Sequence, residues 1–259
     1  MINTKNLNID RYIFYIFFLT GLFSCKNQEH LTFETKIIAI QDFFDCQTTD
    51  CVTTEILLLK SVNETKISKR VNQEIEKAAC IILNMENNAP AKTIDAAIRR
   101  FNLSYQQTKK EFPDEITPYE ISINCHLSFQ NQEILSVLIE SYIYTGGAHG
   151  NGNSTYLTIH AKTGKLIKPM SLFKNYNEFL NYSEKVFRQK HTIGDHKSIN
   201  STGFFFENDQ FTLPANIGFT DRNVILFYNQ YEISSYAEGP VELKLEKEKV
   251  SDFFSFPIL

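Results

Sequence analysis

The sequence predicts an α+β fold: a mostly antiparallel sheet with packed helices, preceded by a smaller α/β segment. Three observations lead there. Tyr119 to Phe129 alternates apolar and polar residues over eleven positions, the signature of a half-buried strand. Two stretches between residues 66 and 112 instead repeat their apolar residues at three- and four-residue steps, as helices do. The last third breaks into short apolar runs separated by turn-forming residues.

Taken in order, Thr35–Ile40 and Val52–Leu59 read as strands on either side of a polar loop. Ile67, Val71, Ile75, Ala78, Ile82 and Met85 form one helical face, with Ser61 and Glu64 as a candidate capping box. Asn87-Asn88-Ala89-Pro90 breaks that pattern. A second stripe runs through Ile94, Ile98, Phe101, Tyr105 and Phe112 and ends at Pro113. The alternating strand Tyr119–Phe129 then turns at Asn131-Gln132 and returns as Ile134–Tyr144, an antiparallel hairpin. After a loop at 145–153 come a strand at Tyr156–Ala161, a turn at Lys162–Lys165, and the short run Leu166–Phe173 interrupted by Pro169. Asn177–Lys190 reads as a helix and 191–202 as a polar loop. Strands are expected at 203–213, 216–219, 223–231 and 240–246, with Val250–Phe256 closing the chain.

The first 24 residues have the layout of an export signal. Lys5 and Arg11 supply positive charge, Tyr12–Phe23 is almost unbroken apolar sequence, and Gly21 and Ser24 are small residues near the expected cut. The run is shorter than the roughly 20 residues that span a bilayer. Leu22-Phe23-Ser24-Cys25 resembles a lipobox, which implies cleavage before Cys25 and acylation of that cysteine. Two or more acyl chains hold a protein stably at a membrane, where one is marginal. The expected division is therefore a signal at 1–24, a polar tether at 25–30, an α/β segment at 31–90 and an α+β domain at 91–259. The chain would sit in the cell envelope, lipid-anchored and facing the periplasm or the outside.

A net charge of −4 argues against a nucleic-acid binder, which needs a basic patch. Phe (22) and Tyr (12) are abundant and Trp is absent, a mixture that suits β structure. Beyond Cys25 four cysteines remain: Cys46, Cys51, Cys80 and Cys125. Two disulfides are permitted in an exported chain, in three pairings. Cys46 with Cys51, around Gln47-Thr48-Thr49-Asp50, is the favoured pair, and buried thiols are the alternative for the rest. Cys-x-x-Cys and His-x-x-x-His pairs are lacking, so no metal and no cofactor is expected.

One motif is distinctive. Tyr144-Thr145-Gly146-Gly147-Ala148-His149-Gly150-Asn151-Gly152-Asn153 holds four of the ten glycines within seven positions. Glycine permits positive φ and close backbone approach, so such a loop can aim several N–H groups at a ligand. Tyr144, Gly146, Gly147, His149, Gly150 and Asn151 are the candidate ligand-binding residues. The competing reading is a complicated turn leaving a sheet, with His149 folded back onto the backbone. The spacing does not fit a dinucleotide fingerprint.

This run, with Thr163-Gly164-Lys165, Leu172-Phe173, Tyr231-Glu232-Ile233 and Tyr236-Ala237-Glu238-Gly239, resembles the extracytoplasmic domain of RsiV-type anti-sigma factors. The same domain accompanies the PdaC-type peptidoglycan deacetylases, and residues 31–90 are similar in layout to the segment that precedes it there. The resemblance implies the fold and binding at the envelope, to a lysozyme-like protein or to wall glycan. The short stretch before Cys25 leaves no room for a cytoplasmic anti-sigma segment, and no deacetylase domain follows, so neither of those activities is expected to carry over.

Other constellations are weaker. His191 and His196 flank Asp195 in a polar stretch that reads as a solvated loop. His126 and His160 lack a visible partner, no Gly-x-Ser-x-Gly elbow occurs, and Glu207 with Asp209 read as turn residues. The expected function is a membrane-anchored binding or sensing module for a lysozyme-like hydrolase. Peptidoglycan or glycan binding is the alternative, and a wall enzyme using the 145–153 loop comes third.

Overall fold

The computed structural model describes residues 30–48, 50–85, 89–114 and 117–259. The expected signal, Cys25 and the tether up to residue 29 lie outside these residues.

Twelve regular elements follow in order: β1 (Phe33–Ile38), β2 (Thr53–Ser61), α1 (Lys66–Ile82), α2 (Ile94–Glu111), β3 (Glu120–Gln130), β4 (Ile134–Tyr144), β5 (Asn151–His160), α3 (Tyr176–Lys190), β6 (Asn216–Phe219), β7 (Asn223–Tyr228), β8 (Val241–Glu246) and α4 (Lys247–Val250). They form a five-stranded mixed sheet ordered β1-β2-β3-β4-β5 and a three-stranded antiparallel sheet ordered β6-β7-β8. The fold is α+β. All neighbours in the large sheet are antiparallel except β2 and β3, which run parallel because α1 and α2 carry the chain back between them.

Alternation along β3 and β4 sends Ile121, Ile123, Cys125, Val137 and Ile139 into one core, shared with Val71, Ile75 and Ala79 of α1 and Ile98, Phe101 and Tyr105 of α2. Thr65 caps α1, its Oγ1 accepting from Ser68 N at 3.0 Å. The capping box expected at Ser61 and Glu64 does not form. Ser61 ends β2, where its N–H donates to Asn72 Oδ1 at 2.7 Å and its carbonyl accepts from Ser68 Oγ. α1 and α2, on either side of residue 90, both line this core.

On its other face the sheet meets a second core of α3, β6–β8 and the C-terminal segment. Phe179, Phe187, Phe219, Leu226, Tyr228 and Leu243 lie within it. Ile134 points into this second core while its neighbour Leu135 points into the first. Ser136 joins the layers, its Oγ accepting from Phe219 N at 3.0 Å. Gly218 lies so close to Tyr156 that a Cβ there would come within 2.0 Å of the ring.

The outer edge of β5 is closed without a further strand. Asn229 Oδ1 accepts from Ser154 N at 2.8 Å and its Nδ2 donates to Ser154 O at 3.0 Å. Asn216 Oδ1 accepts from Tyr156 N, Thr158 O accepts from Ile167 N, and His160 N donates to Lys165 O. These side chains and turns satisfy groups that would otherwise offer a template for another strand.

Residues 203–213 form no strand, although Glu207–Asp209 do make the expected turn. Phe204, Phe206 and Phe211 all turn onto Phe187, with ring centroids 4.9–5.4 Å away. Asn200 brackets Phe206 by bonding both its N–H and its carbonyl. Asn208 and Asp209 adopt left-handed φ values of 52° and 57°. β7 stops at Tyr228, three residues short of the expected end, and Tyr231 also has a positive φ of 66°. β5 begins at Asn151 rather than Tyr156, which shortens the glycine loop to residues 145–150.

Candidate functional site

Cys46 and Cys51 form a disulfide. Cys80 and Cys125 are free and buried, so the second bridge that the count allows is not made. Burial pushes both thiols up to about 11, which keeps them protonated at neutral pH.

The glycine loop leaves β4 at Tyr144 and re-enters the sheet at Asn151. Gly146 and Gly147 hold φ values of 95° and 89°, conformations that a side chain rarely adopts. Tyr144 Oη donates to Gly147 O at 3.1 Å and fixes the bend. Gly150 is buried beneath Tyr142, where a Cβ would meet the ring at 2.4 Å. Glycine is thus required at 146 and 147 by backbone conformation and at 150 by the packed ring.

His149 does fold back to the backbone, and it also takes part in a ring stack. Its Nδ1 lies 3.0 Å from Gly150 O. A carbonyl can only accept, so Nδ1 carries the proton and Nε2 is left as an acceptor in the neutral ring. The imidazole stacks on Tyr236 with centroids 4.1 Å apart and planes 23° from parallel. Tyr236 Oη donates to the same Gly150 O at 3.2 Å. Tyr231, 60% exposed, stands 5.6 Å from Tyr236. Tyr142, His149, Tyr236 and Tyr231 therefore form a cluster of rings around Gly150, and its outer members face solvent.

Two clefts flank the loop, and Thr145 and Gly146 line both. One, of about 310 Å³, has Ile82, Met85 and Ile143 as apolar wall and His149, Asn151 and Asn153 as polar rim. The other, of about 400 Å³, lies beside Phe112, Tyr119 and Tyr144. Both volumes fall near the lower end of the range for small-ligand sites. All six sequence-derived candidates are thus on the loop or at its two strand ends, but they divide by role. Gly146 and Gly147 shape it, Tyr144 braces it, Gly150 receives it, and His149 and Asn151 present polar groups.

Tyr142, Tyr231 and Tyr236 are the contributors that the residue pattern did not single out. Tyr231 and Tyr236 lie in the late stretch that carried the family resemblance, but their contact with a loop more than eighty residues earlier is set by the fold. Glu232, next in sequence to Tyr231, accepts from Asn229 N, while Glu140 and Glu242 approach Tyr156, which is outside the cluster. Burial, with Glu242 and Glu140 adding to it, pushes the Tyr156 phenol up to about 12.

The remaining histidines are dispersed. His126 faces Glu140 at 4.0 Å on the sheet, and His160 Nδ1 accepts from Lys162 N at 3.2 Å. Asp195 and His196 are exposed. Among the described residues no group of three His, Cys, Asp or Glu side chains is placed to hold a metal ion. No described helix is long and apolar enough to cross a membrane.

An α+β domain with two cores and an exposed ring cluster defines the class. Two family models match the chain. The one described as Deacetylase PdaC matches residues 46–152, and the one described as DUF3298, a protein of unknown function, matches 165–248. The chain thus carries a PdaC-type match in its first part and a DUF3298 match in its second, which together support the PdaC-type/DUF3298 extracytoplasmic domain family. The fold is shared with a DUF3298 protein of Bacteroides fragilis, at a TM-score of 0.66 and 19% identity over 88% of this chain and 94% of that one. It is shared also with a DUF3298 protein of Pseudomonas aeruginosa, at 0.62 and 16% over 89% and 98%. No curated protein matches the chain.

Proposed function

We propose that this chain is an envelope-facing binding module, anchored through lipid on Cys25, whose ligand is the sugar backbone of the cell wall. The observation that carries this reading is the ring cluster. His149, Tyr236 and Tyr231 place flat apolar faces with polar edges at the surface, beside clefts rimmed by asparagine and threonine. Sugar rings present the complementary arrangement: an apolar face of C–H groups and an equatorial belt of hydroxyls. The loop supplies His149 Nε2 and the Asn151 amide for that belt. Its ten residues from Tyr144 to Asn153 contain no carboxylate and no cysteine, so they offer recognition more readily than covalent or paired-carboxylate catalysis.

Sedimentation with purified sacculi, and calorimetry with N-acetylglucosamine oligomers, test this directly. His149→Ala and Tyr236→Ala are expected to weaken binding about tenfold or more while moving the melting temperature by only a few degrees. Unimpaired binding by both variants, or absence of sacculus binding by the unmodified chain, refutes the reading. A second reading, capture of a lysozyme-like hydrolase, is favoured by the carboxylate of Glu232 beside Tyr231 and by the net charge of −4. These would attract a basic partner. Retention of lysozyme on the immobilised chain, falling as salt rises, would support it.

A further inference from the structure

A cleft of about 530 Å³ is separate from the glycine loop. It lies between the C-terminal end of α3, the turn at 202–204 and the stretch 234–242. Its lining is of mixed charge. Lys190 stands at one part of the wall, and its Nζ donates to Glu242 O, which leaves two further N–H groups for a ligand. Glu238 lines the same cleft. Neither Lys190 nor Glu238 makes an ion pair with the other or with any other described residue. Glu242, by contrast, has its carboxylate engaged by Lys244 at 3.0 Å.

The rest of the wall is neutral. His191 packs at a tilt on Phe187, centroids 4.4 Å apart, and meets Phe204 edge-on at 4.7 Å. Burial, with Lys190 adding to it, holds its pKa below the usual histidine value, so the ring is uncharged at neutral pH. Phe204 and Pro240 supply apolar surface, and Ser234 Oγ is occupied by Gly239 O at 2.9 Å. One ammonium with donors to spare and one carboxylate outside any ion pair in a single cleft suit a ligand that carries both charges itself.

The 3-10 turn Tyr236–Glu238 serves both places. Tyr236 reaches the His149 stack, and Glu238, two residues on, lines the cleft. We propose that this cleft binds a short zwitterionic peptide with a free amino terminus, its ammonium at Glu238 and its carboxylate at Lys190. This inference does not rest on the sugar-binding reading above.

The test is calorimetry of the full chain with trialanine, N-acetyl-trialanine and trialanine amide. Trialanine is expected to bind. Each cap removes one charge-assisted contact and should weaken binding by about tenfold or more. Glu238→Gln should abolish discrimination against the acetylated peptide, and Lys190→Met discrimination against the amide. Both side chains are exposed, so circular dichroism of the variants should be unchanged. Equal binding of all three peptides, no binding of trialanine, or unchanged discrimination in the variants would each overturn the proposal. N-acetylglucosamine oligomers in parallel separate the two readings. Peptide binding without sugar binding removes the ring reading alone, whereas sugar binding without peptide binding removes the cleft proposal and leaves the ring site standing.

Discussion

Lys247 is fully buried, and its ammonium has no hydrogen-bond partner. It lies over the Phe129 ring, Nζ 3.1 Å from the centroid, which offers cation–π attraction but no acceptor. Burial pulls its pKa down from 10.5 to about 8, against the opposing pull of Asp221 and Glu248. A lysine whose folded pKa is depressed destabilises the fold where both states are charged, below about pH 8. The penalty disappears as pH rises from about 8 to 10.5, because the unfolded state then holds the extra proton. That interval, at about 1.4 kcal/mol per pH unit, amounts to about 3 kcal/mol. Lys247→Met keeps the length and apolar stem and deletes the charge. At pH 7 it should relieve the penalty and forfeit about 1–2 kcal/mol of ring attraction, a net gain of about 1–2 kcal/mol. The melting temperature should rise by about 2–4 °C for each. Urea titrations of both proteins from pH 7 to 10.5 are the assay. Taking the difference between them cancels Cys80 and Cys125, which lower stability as pH climbs from about 9 to 11. The variant's advantage should be level below pH 8 and shrink by about 3 kcal/mol toward pH 10.5. An advantage that does not change with pH, or a variant destabilised at pH 7, would refute the reasoning.

Two further outcomes can be checked. Gly218→Ala would drive a methyl into Tyr156, whose ring lies 2.0 Å from the position of the new atom. The expected cost in chemical denaturation is about 1–3 kcal/mol, and the loss should be markedly smaller when Tyr156→Ala is already present. Reducing the Cys46–Cys51 bridge, which spans a sequence separation of 5, should cost about 2 kcal/mol by chain entropy. The readout is a lower urea midpoint, with Cys80 and Cys125 still inaccessible to alkylation in the folded state.

Much of the scaffold was legible because its patterns are local. The alternation from Tyr119 to Phe129 became β3, the apolar stripes became α1 and α2, and the short Cys46–Cys51 loop closed as expected. What failed depended on distant partners. Phe204, Phe206 and Phe211 resemble a strand in sequence, but their rings gather on Phe187 from one irregular loop. The parallel pairing of β2 with β3 was not visible, because periodicity tells which face a residue occupies and not which strand lies beside it. The glycine loop could be found from its composition. Its stacking partner Tyr236, bonded to Gly150 across 86 residues, could not.

Asn229 lies just before the ring-bearing stretch and imitates a neighbouring backbone along β5, giving and taking one hydrogen bond with Ser154. One side chain therefore guards against chain-to-chain association and also moors the segment that holds Tyr231 and Tyr236. Loosening that mooring would unseat the rings and bare a sheet margin together. Damage to recognition at this corner would then come with a tendency to polymerise, even while both cores stayed intact.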